Sequence, residues 1–423
     1  MTGMGREHGQ EQESAAAEMV RIPSAVESAA IGKAATVDAP SVVALTQRLV
    51  ATPSRAGVDP YEPILSLLSS WLAEHGLASL PLDNGSDAPV GLVCDVAGGS
   101  PGARYVLDAC VDTPPFGDVD AWRHPPTGGV IEDGWLYGRG SSDCKAAAAV
   151  FCHLAARVHE QADQLGGTLT LLFDADEHTG GFGGAKRYFA GPDAPTDVAG
   201  VMIGYPGLER VVIGGRGFWR AQLVVHGTAG HTGASSIGDS NAVTKAAVLI
   251  QALTRHQVPA PPDAAYELAP KLTVTAAHGG EGYSIVPDRC VVNVDVRLTP
   301  NFDQQAAADL VATVVADVDR QVPTATATTT DYLTSWPPFR LTDDAPIVTA
   351  LTAAGARHLD QAPGRKVAGP SNIGNYLASL GIPATAGFGV AYRNLHGTDE
   401  CIEVATIPLM QAVYHEAVLT LLG

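Results

Sequence analysis

Apolar positions from Ser41 onward recur at helical spacing, first at Val42, Val43, Leu45 and Leu49, then at Ile64, Leu65, Leu67, Leu68, Trp71 and Leu72. They predict two amphipathic helices at the head of the folded part. Short unbroken apolar runs follow at residues 90–96, 105–111, 168–173 and 201–203, separated by helix-length segments such as 143–157. Runs of this kind read as strands covered on both faces, and their alternation with helices predicts an α/β layer fold with a mixed sheet flanked by helices. The chemistry-bearing residues fall at strand ends: Cys110 and Asp112 after one, Asp174, Asp176, Glu177 and His178 after another, Tyr205 after a third. Open α/β sheets place their ligands there.

The rhythm changes near Gly215. Strand patterns at 218–226, 271–275 and 290–298 accompany helical patterns at 241–255 and 302–320. In the latter helix Leu310, Val311, Val314, Val315 and Val318 make one stripe, while Val292, Val294, Val296 and Leu298 alternate with Asn293, Asp295 and Arg297. That is an antiparallel sheet with helices on one side, a small α+β domain. The chain then returns to helix and strand segments and ends in a helical pattern at 407–422. The reading is therefore a mobile arm or loose helix at 1–38, a larger domain built from 39–214 and 326–423, and an inserted unit at 215–325.

Charge narrows the partners. Against 45 Asp and Glu stand 26 Lys and Arg, a net charge of −19, which disfavours nucleic acid and anionic membranes. No apolar run approaches the about 20 residues of a membrane span. Six cysteines without a CxxC pair suit a reducing compartment, so the cytoplasm is expected. The glycine-rich segment 180–184 lacks the GxGxxG order and its acidic partner, which argues against a dinucleotide site.

Four clusters carry candidate chemistry: Asp108-Ala-Cys110-Val-Asp112, Gly138-Arg-Gly-Ser-Ser-Asp143-Cys-Lys145, Asp174-Ala-Asp176-Glu177-His178, and Asn394-Leu-His396-Gly-Thr-Asp399-Glu400. Each lies where a strand or loop gives way to a turn, so distant acidic and imidazole groups can converge. A metal ion would explain their convergence, because it needs carboxylate and imidazole ligands together with a neighbouring carboxylate to take a proton from water. Each cluster taken alone also reads as a solvated loop or helix cap.

The order and spacing of these clusters resemble the family of aminoacylases, acetylornithine deacetylases, succinyl-diaminopimelate desuccinylases and carboxypeptidase G enzymes, over almost all of the chain after residue 40. The segments Trp135-Leu-Tyr-Gly-Arg-Gly-Ser-Ser-Asp143-Cys-Lys, Gly227-Thr-Ala-Gly-His231-Thr-Gly, Gly279-Gly-Glu-Gly-Tyr-Ser-Ile-Val-Pro-Asp288 and Gly369-Pro-Ser-Asn-Ile-Gly-Asn375-Tyr-Leu support it. The resemblance implies a co-catalytic zinc amidohydrolase or exopeptidase, with cobalt or manganese as alternatives to zinc. It also implies a catalytic domain interrupted by a lid and dimerisation domain, a homodimer, and a small N-acyl amino acid or short peptide as substrate.

By the resemblance, Asp143 corresponds to the bridging carboxylate, Glu177 to the general base, and His178 and His396 to metal ligands. Cys110 stands where the family has His, and Tyr205 where it has an acidic ligand. One well-formed metal site is expected, with the second weak or empty. Taken alone, Cys110 in an apolar strand reads as a small core residue rather than a ligand, and Tyr205 as a packing residue with a satisfied hydroxyl. Asp112 is assigned to the catalytic set, although with Cys110 in place of His it loses the imidazole it would orient. The resemblance sends His231 to the oxyanion in a partner subunit's site, and makes Arg297 and Asn375 candidates for meeting substrate. Arg297 has the alternative of an ion pair with Asp295. The replacements at Cys110 and Tyr205 also leave open a catalytically weak relative that acts as a binding protein.

Overall fold

The computed structural model describes residues 22–83, 85, 88–234, 241–261 and 263–423. A six-stranded sheet runs in the order Leu80–Asp83, Pro89–Ala97, Gly166–Asp174, Ser100–Cys110, Val198–Ile203, Ala384–Thr385. The first two pairings are antiparallel and the remaining three parallel, so the sheet is mixed as the pattern implied. Leu107 and Ala109 of one central strand, with Leu169, Leu171 and Phe173 of its neighbour, face a core closed by the helices Ala25–Ala51, Ala146–His159 and Ile407–Leu422. Val106 and Leu172 point the other way, toward Gly183–Ala190 and Ile373–Ser379. Burial on both faces is why these strands carry uninterrupted apolar runs.

The inserted unit is a four-stranded antiparallel sheet in the order Lys271–Gly279, Arg289–Leu298, Gly217–His226, Thr329–Trp336. Helices Ala242–Arg255 and Gln304–Gln321 cover one face through Val292, Val294, Val296, Leu223 and Val225. The unit therefore extends to Trp336 instead of ending at 325. Its last strand is an edge strand whose first five residues are exposed, so it shows no buried run in the sequence. The two crossovers between the units run side by side. A Cβ at Gly217 would lie 2.4 Å from the Trp336 carbonyl oxygen, so only glycine permits this approach.

The arm needs correction as well. Residues 1–21 lie outside the described residues, but from Ala25 the chain is a 27-residue helix that runs through Pro40 to Ala51. Ser24 and Glu27 form a capping box at its start. Ile31 and Ala35 are buried, and Asp38 accepts hydrogen bonds from Arg157 and Gln411. Docking against the C-terminal helix holds a segment whose own apolar pattern is weak.

Candidate active site

Asp143 lies in a tight turn ahead of the helix Ala146–His159, not within a helix beginning at 143. The turn is secured from the far end of the chain. The buried carboxylate of Glu400 accepts from Ser142 N (3.0 Å), Ser142 Oγ (2.7 Å) and Arg139 Nη1 (2.7 Å). A buried ion pair is tolerable when its lone pairs are filled in this way. Gly140 has φ +79°, and a Cβ there would meet Thr113 Cγ2 at 2.4 Å, so the loop closes only with glycine.

Three side chains from three segments converge on one point. His396 Nε2 lies 2.9 Å from Asp143 Oδ2, and His178 Nε2 lies 3.5 Å from the same oxygen. The Asp143, His178 and His396 ligand atoms all fall within 4.8 Å of one another. Ligands about 2.0–2.2 Å from a tetrahedral zinc are separated by roughly 3.3–3.6 Å, close to this spacing. His178 is only 5% exposed, yet its Nε2 has no hydrogen-bond partner. An orphaned imidazole nitrogen beside a carboxylate and a second imidazole fits a divalent cation. Electrostatics agree: burial pulls the His178 pKa down, but the carboxylates of Asp112, at Nδ1, and of Asp143 nearby lift it to about 11. Despite burial, the imidazoles of His178 and His396 beside it hold Asp143 far below the usual carboxylate range. The surroundings favour positive charge at this point.

Asp112 does have an imidazole to orient. The fully buried carboxylate accepts from the backbone N–H of Glu177 (3.1 Å) and of His178 (3.0 Å), and faces His178 Nδ1 at 3.3 Å. It therefore directs Nε2 of His178 toward Asp143, the arrangement by which carboxylates orient metal-binding histidines. The imidazole missing at position 110 is supplied from position 178.

The two positions expected to build a second metal site, Tyr205 and Cys110, are engaged with Glu177 and Asp143. Tyr205 donates its hydroxyl to Glu177 Oε1 at 2.6 Å, and burial with the nearby Glu177 charge holds the phenol well above its usual range. Its hydroxyl is committed to the Glu177 carboxylate. Cys110 is buried and gives its thiol to Asp143 Oδ1 at 3.3 Å; Cys144 gives its own to the same oxygen at 2.9 Å. Burial lifts Glu177 to about 7, with His178 and Tyr205 pulling it back, which suits proton exchange near neutrality. Tyr205→Phe removes a hydrogen bond to a charged partner worth about 1.5–3 kcal/mol. Expected is a kcat lower by about 10- to 100-fold with bound cation unchanged, read by steady-state kinetics and elemental analysis.

The remaining predicted residues lie apart from this centre. His231 is exposed on a two-residue strand, where its Nδ1 accepts from Gly233 N. Arg297 pairs with Asp295 at 2.8 Å and reaches Ser371 Oγ at 3.4 Å. Asn375 is fully buried and does not line the cleft. Its Nδ2 donates to the carbonyls of Arg216 (3.1 Å) and Pro337 (2.8 Å), one on each crossover, and its Oδ1 accepts from Asn372 N (3.1 Å). It is a clamp on the connection between the units, and contact with substrate is excluded by its burial. Asn375→Asp turns the donor toward carbonyls into a repelling oxygen. It should destabilise the fold by about 1–3 kcal/mol, seen as a lower denaturation midpoint.

The centre opens into a cleft of about 820 Å³ lined by Asp143, Glu177, Tyr205, Ser371, Asn372 and His396. Its wall also carries Arg210, Lys366 and Arg393, which the sequence reading passed over. Arg393, three residues before His396, lies over the Trp135 ring at 3.9 Å. Cys144 was likewise missed, although it adjoins Asp143.

Comparison with known proteins gives a consistent picture. The sequence model of the family described as "Peptidase family M20/M25/M40" matches residues 107–420. Over 337 residues the chain is 26% identical to a succinyl-diaminopimelate desuccinylase of Marinobacter nauticus, covering 77% of this chain and 85% of that protein. A metallo-carboxypeptidase from Sulfolobus solfataricus superposes with a TM-score of 0.72 at 17% identity, over 90% of this chain and 98% of its own. A dipeptidase from Saccharomyces cerevisiae gives 0.73 at 13% identity, over 94% and 99%. These structures share the fold, with a catalytic and a smaller domain.

Proposed function

The chain belongs to the M20/M25/M40 family of peptidases, metal-dependent hydrolases of peptide and amide bonds in small substrates, and from that premise we propose a one-metal reaction on an N-acyl amino acid or short peptide. Asp143, His178 and His396 would hold the cation, zinc by the nature of its two imidazoles and one carboxylate. When bound, the ion supplies positive charge where the carbonyl oxygen becomes negative. Glu177 takes a proton from the attacking water as the oxygen–carbon bond forms. It then gives that proton to the nitrogen as the carbon–nitrogen bond breaks. Tyr205 fixes the Glu177 carboxylate, and Asp112 fixes His178.

One observation carries this reading: the unpartnered Nε2 of buried His178 beside Asp143 and His396, with Glu177 adjacent. The proposal includes a homodimer, since His231 lies on the surface of its own chain and would reach the oxyanion only in a second copy. Among the described residues no helix is long and apolar enough to cross a membrane. Six buried, unpaired cysteines suit the cytoplasm. A hydrolysis screen of N-acyl amino acids and dipeptides, with and without added zinc, tests the reading. Zinc-dependent cleavage of at least one class is expected; no cleavage by the zinc-loaded protein would overturn it.

A further inference from the structure

The catalytic cleft has a basic wall that the proposed reaction leaves unused. Arg210, Lys366 and Arg393 all line it, in a chain whose net charge is −19. Strand alternation places the first two. Along Gly364–Ala368, Lys366 and Ala368 line the cleft while Arg365 turns away to Asp343 at 3.4 Å. This strand runs parallel to Arg210–Gly215, with Gly364 opposite Arg210 and Lys366 opposite Val212. Arg393 comes from the segment that leads to His396, and its guanidinium stacks on the Trp135 ring at 3.9 Å, which holds the planar fork in place.

Only Arg210 meets an acid, the exposed Glu267 at 3.2 Å. Among the described residues, the Lys366 and Arg393 side chains have no ion pair and no hydrogen bond. Of the acids lining the cleft, Asp143 and Glu177 are engaged at the centre, and Glu209 pairs with neither cation. We infer that Lys366 and Arg393 form a subsite for a second carboxylate of the substrate, remote from the scissile amide, so that acidic N-acyl amino acids or acidic short peptides are preferred; the inference rests on the proposed hydrolysis. A guanidinium fork beside an ammonium suits a carboxylate, and unpaired cations in a cleft of an otherwise acidic chain draw anions to it. Arg297, which the family resemblance offers to substrate, lines a separate cavity of about 560 Å³ on the inserted sheet and reaches the cleft lining at Ser371. An anion held by Lys366 and Arg393 is therefore a different group from one held by Arg297.

Substrates matched in shape and differing in charge test this. N-acetylglutamate against N-acetylglutamine puts the contrast on the amine side of the amide, and N-glutarylalanine against its distal carboxamide puts it on the acyl side. In at least one pair kcat/KM is expected to be about 10- to 100-fold higher for the carboxylate, the worth of a hydrogen bond to a charged group. The difference should lie in KM, since the subsite holds substrate and transition state alike. Lys366→Gln and Arg393→Gln should each cut the ratio severalfold, and the double variant should bring it close to one. Equal kcat/KM within both pairs, or a ratio that survives in the double variant, overturns the inference. Should nothing be cleaved, calorimetric binding of the same pairs to the zinc-loaded protein decides. Tighter carboxylate binding that the double variant abolishes supports the subsite, and equal binding overturns it. Absence of hydrolysis counts against the proposed function alone, so the two readings fail separately.

Discussion

Glu177→Gln should lower kcat by about 10²- to 10⁴-fold, the usual contribution of a positioned general base, while KM and bound cation change little. Gln preserves the shape and an oxygen for the Tyr205 hydroxyl, whose 2.6 Å bond holds the carboxylate in place. The backbone is also kept, because Glu177 N is anchored on Asp112. Only the proton acceptor disappears. A loss of this size is about 3–5 kcal/mol of transition-state stabilisation. Steady-state kinetics with elemental analysis on the same sample separates it from loss of the cation. A variant that keeps its cation and its kcat would show that another group takes the proton.

Asp112→Asn should weaken cation binding by about 10- to 100-fold, as is usual when the partner orienting a metal-bound histidine is altered. Asp112 performs three tasks with two oxygens, receiving two backbone N–H groups and His178 Nδ1. An amide in its place has one accepting oxygen and would set N–H against N–H, turning the imidazole away from Asp143. His178→Ala should cost more, because a ligand is lost along with its orientation. Competition with a chromophoric chelator reads both. Unchanged affinity in Asp112→Asn would mean that packing alone orients His178.

Much of this was legible in the sequence, for physical reasons. Strands buried on both faces announce themselves as apolar runs, and Glu177 and His178 sit in the turn that ends one of them, while Asp143 and His396 lie in turns after the short strands Trp135–Tyr137 and Tyr392–Arg393. The helix Ala25–Ala51 and the strand Thr329–Trp336 were hidden, the first because docking rather than periodicity holds it, the second because edge exposure removes alternation. The exchange between positions 110 and 178 was hidden for a different reason. Cys110 pairs in register with Asp174 across neighbouring strands, and only that pairing brings Asp112 beneath His178. Asn375 sits beside the cleft in sequence, but its helix turns the amide inward onto both crossovers. Spacing along a chain reveals which residues are near one another and leaves the direction of each side chain to the fold.

The central claim is that one cation, at Asp143, His178 and His396, suffices for hydrolysis beside Glu177. It is tested by stripping the protein with a chelator and following hydrolysis of a responsive N-acyl amino acid or dipeptide as zinc is returned. Activity should rise to its full value at one equivalent per chain and gain nothing from a second. Activity that stays absent at one equivalent and appears only at two would contradict the account.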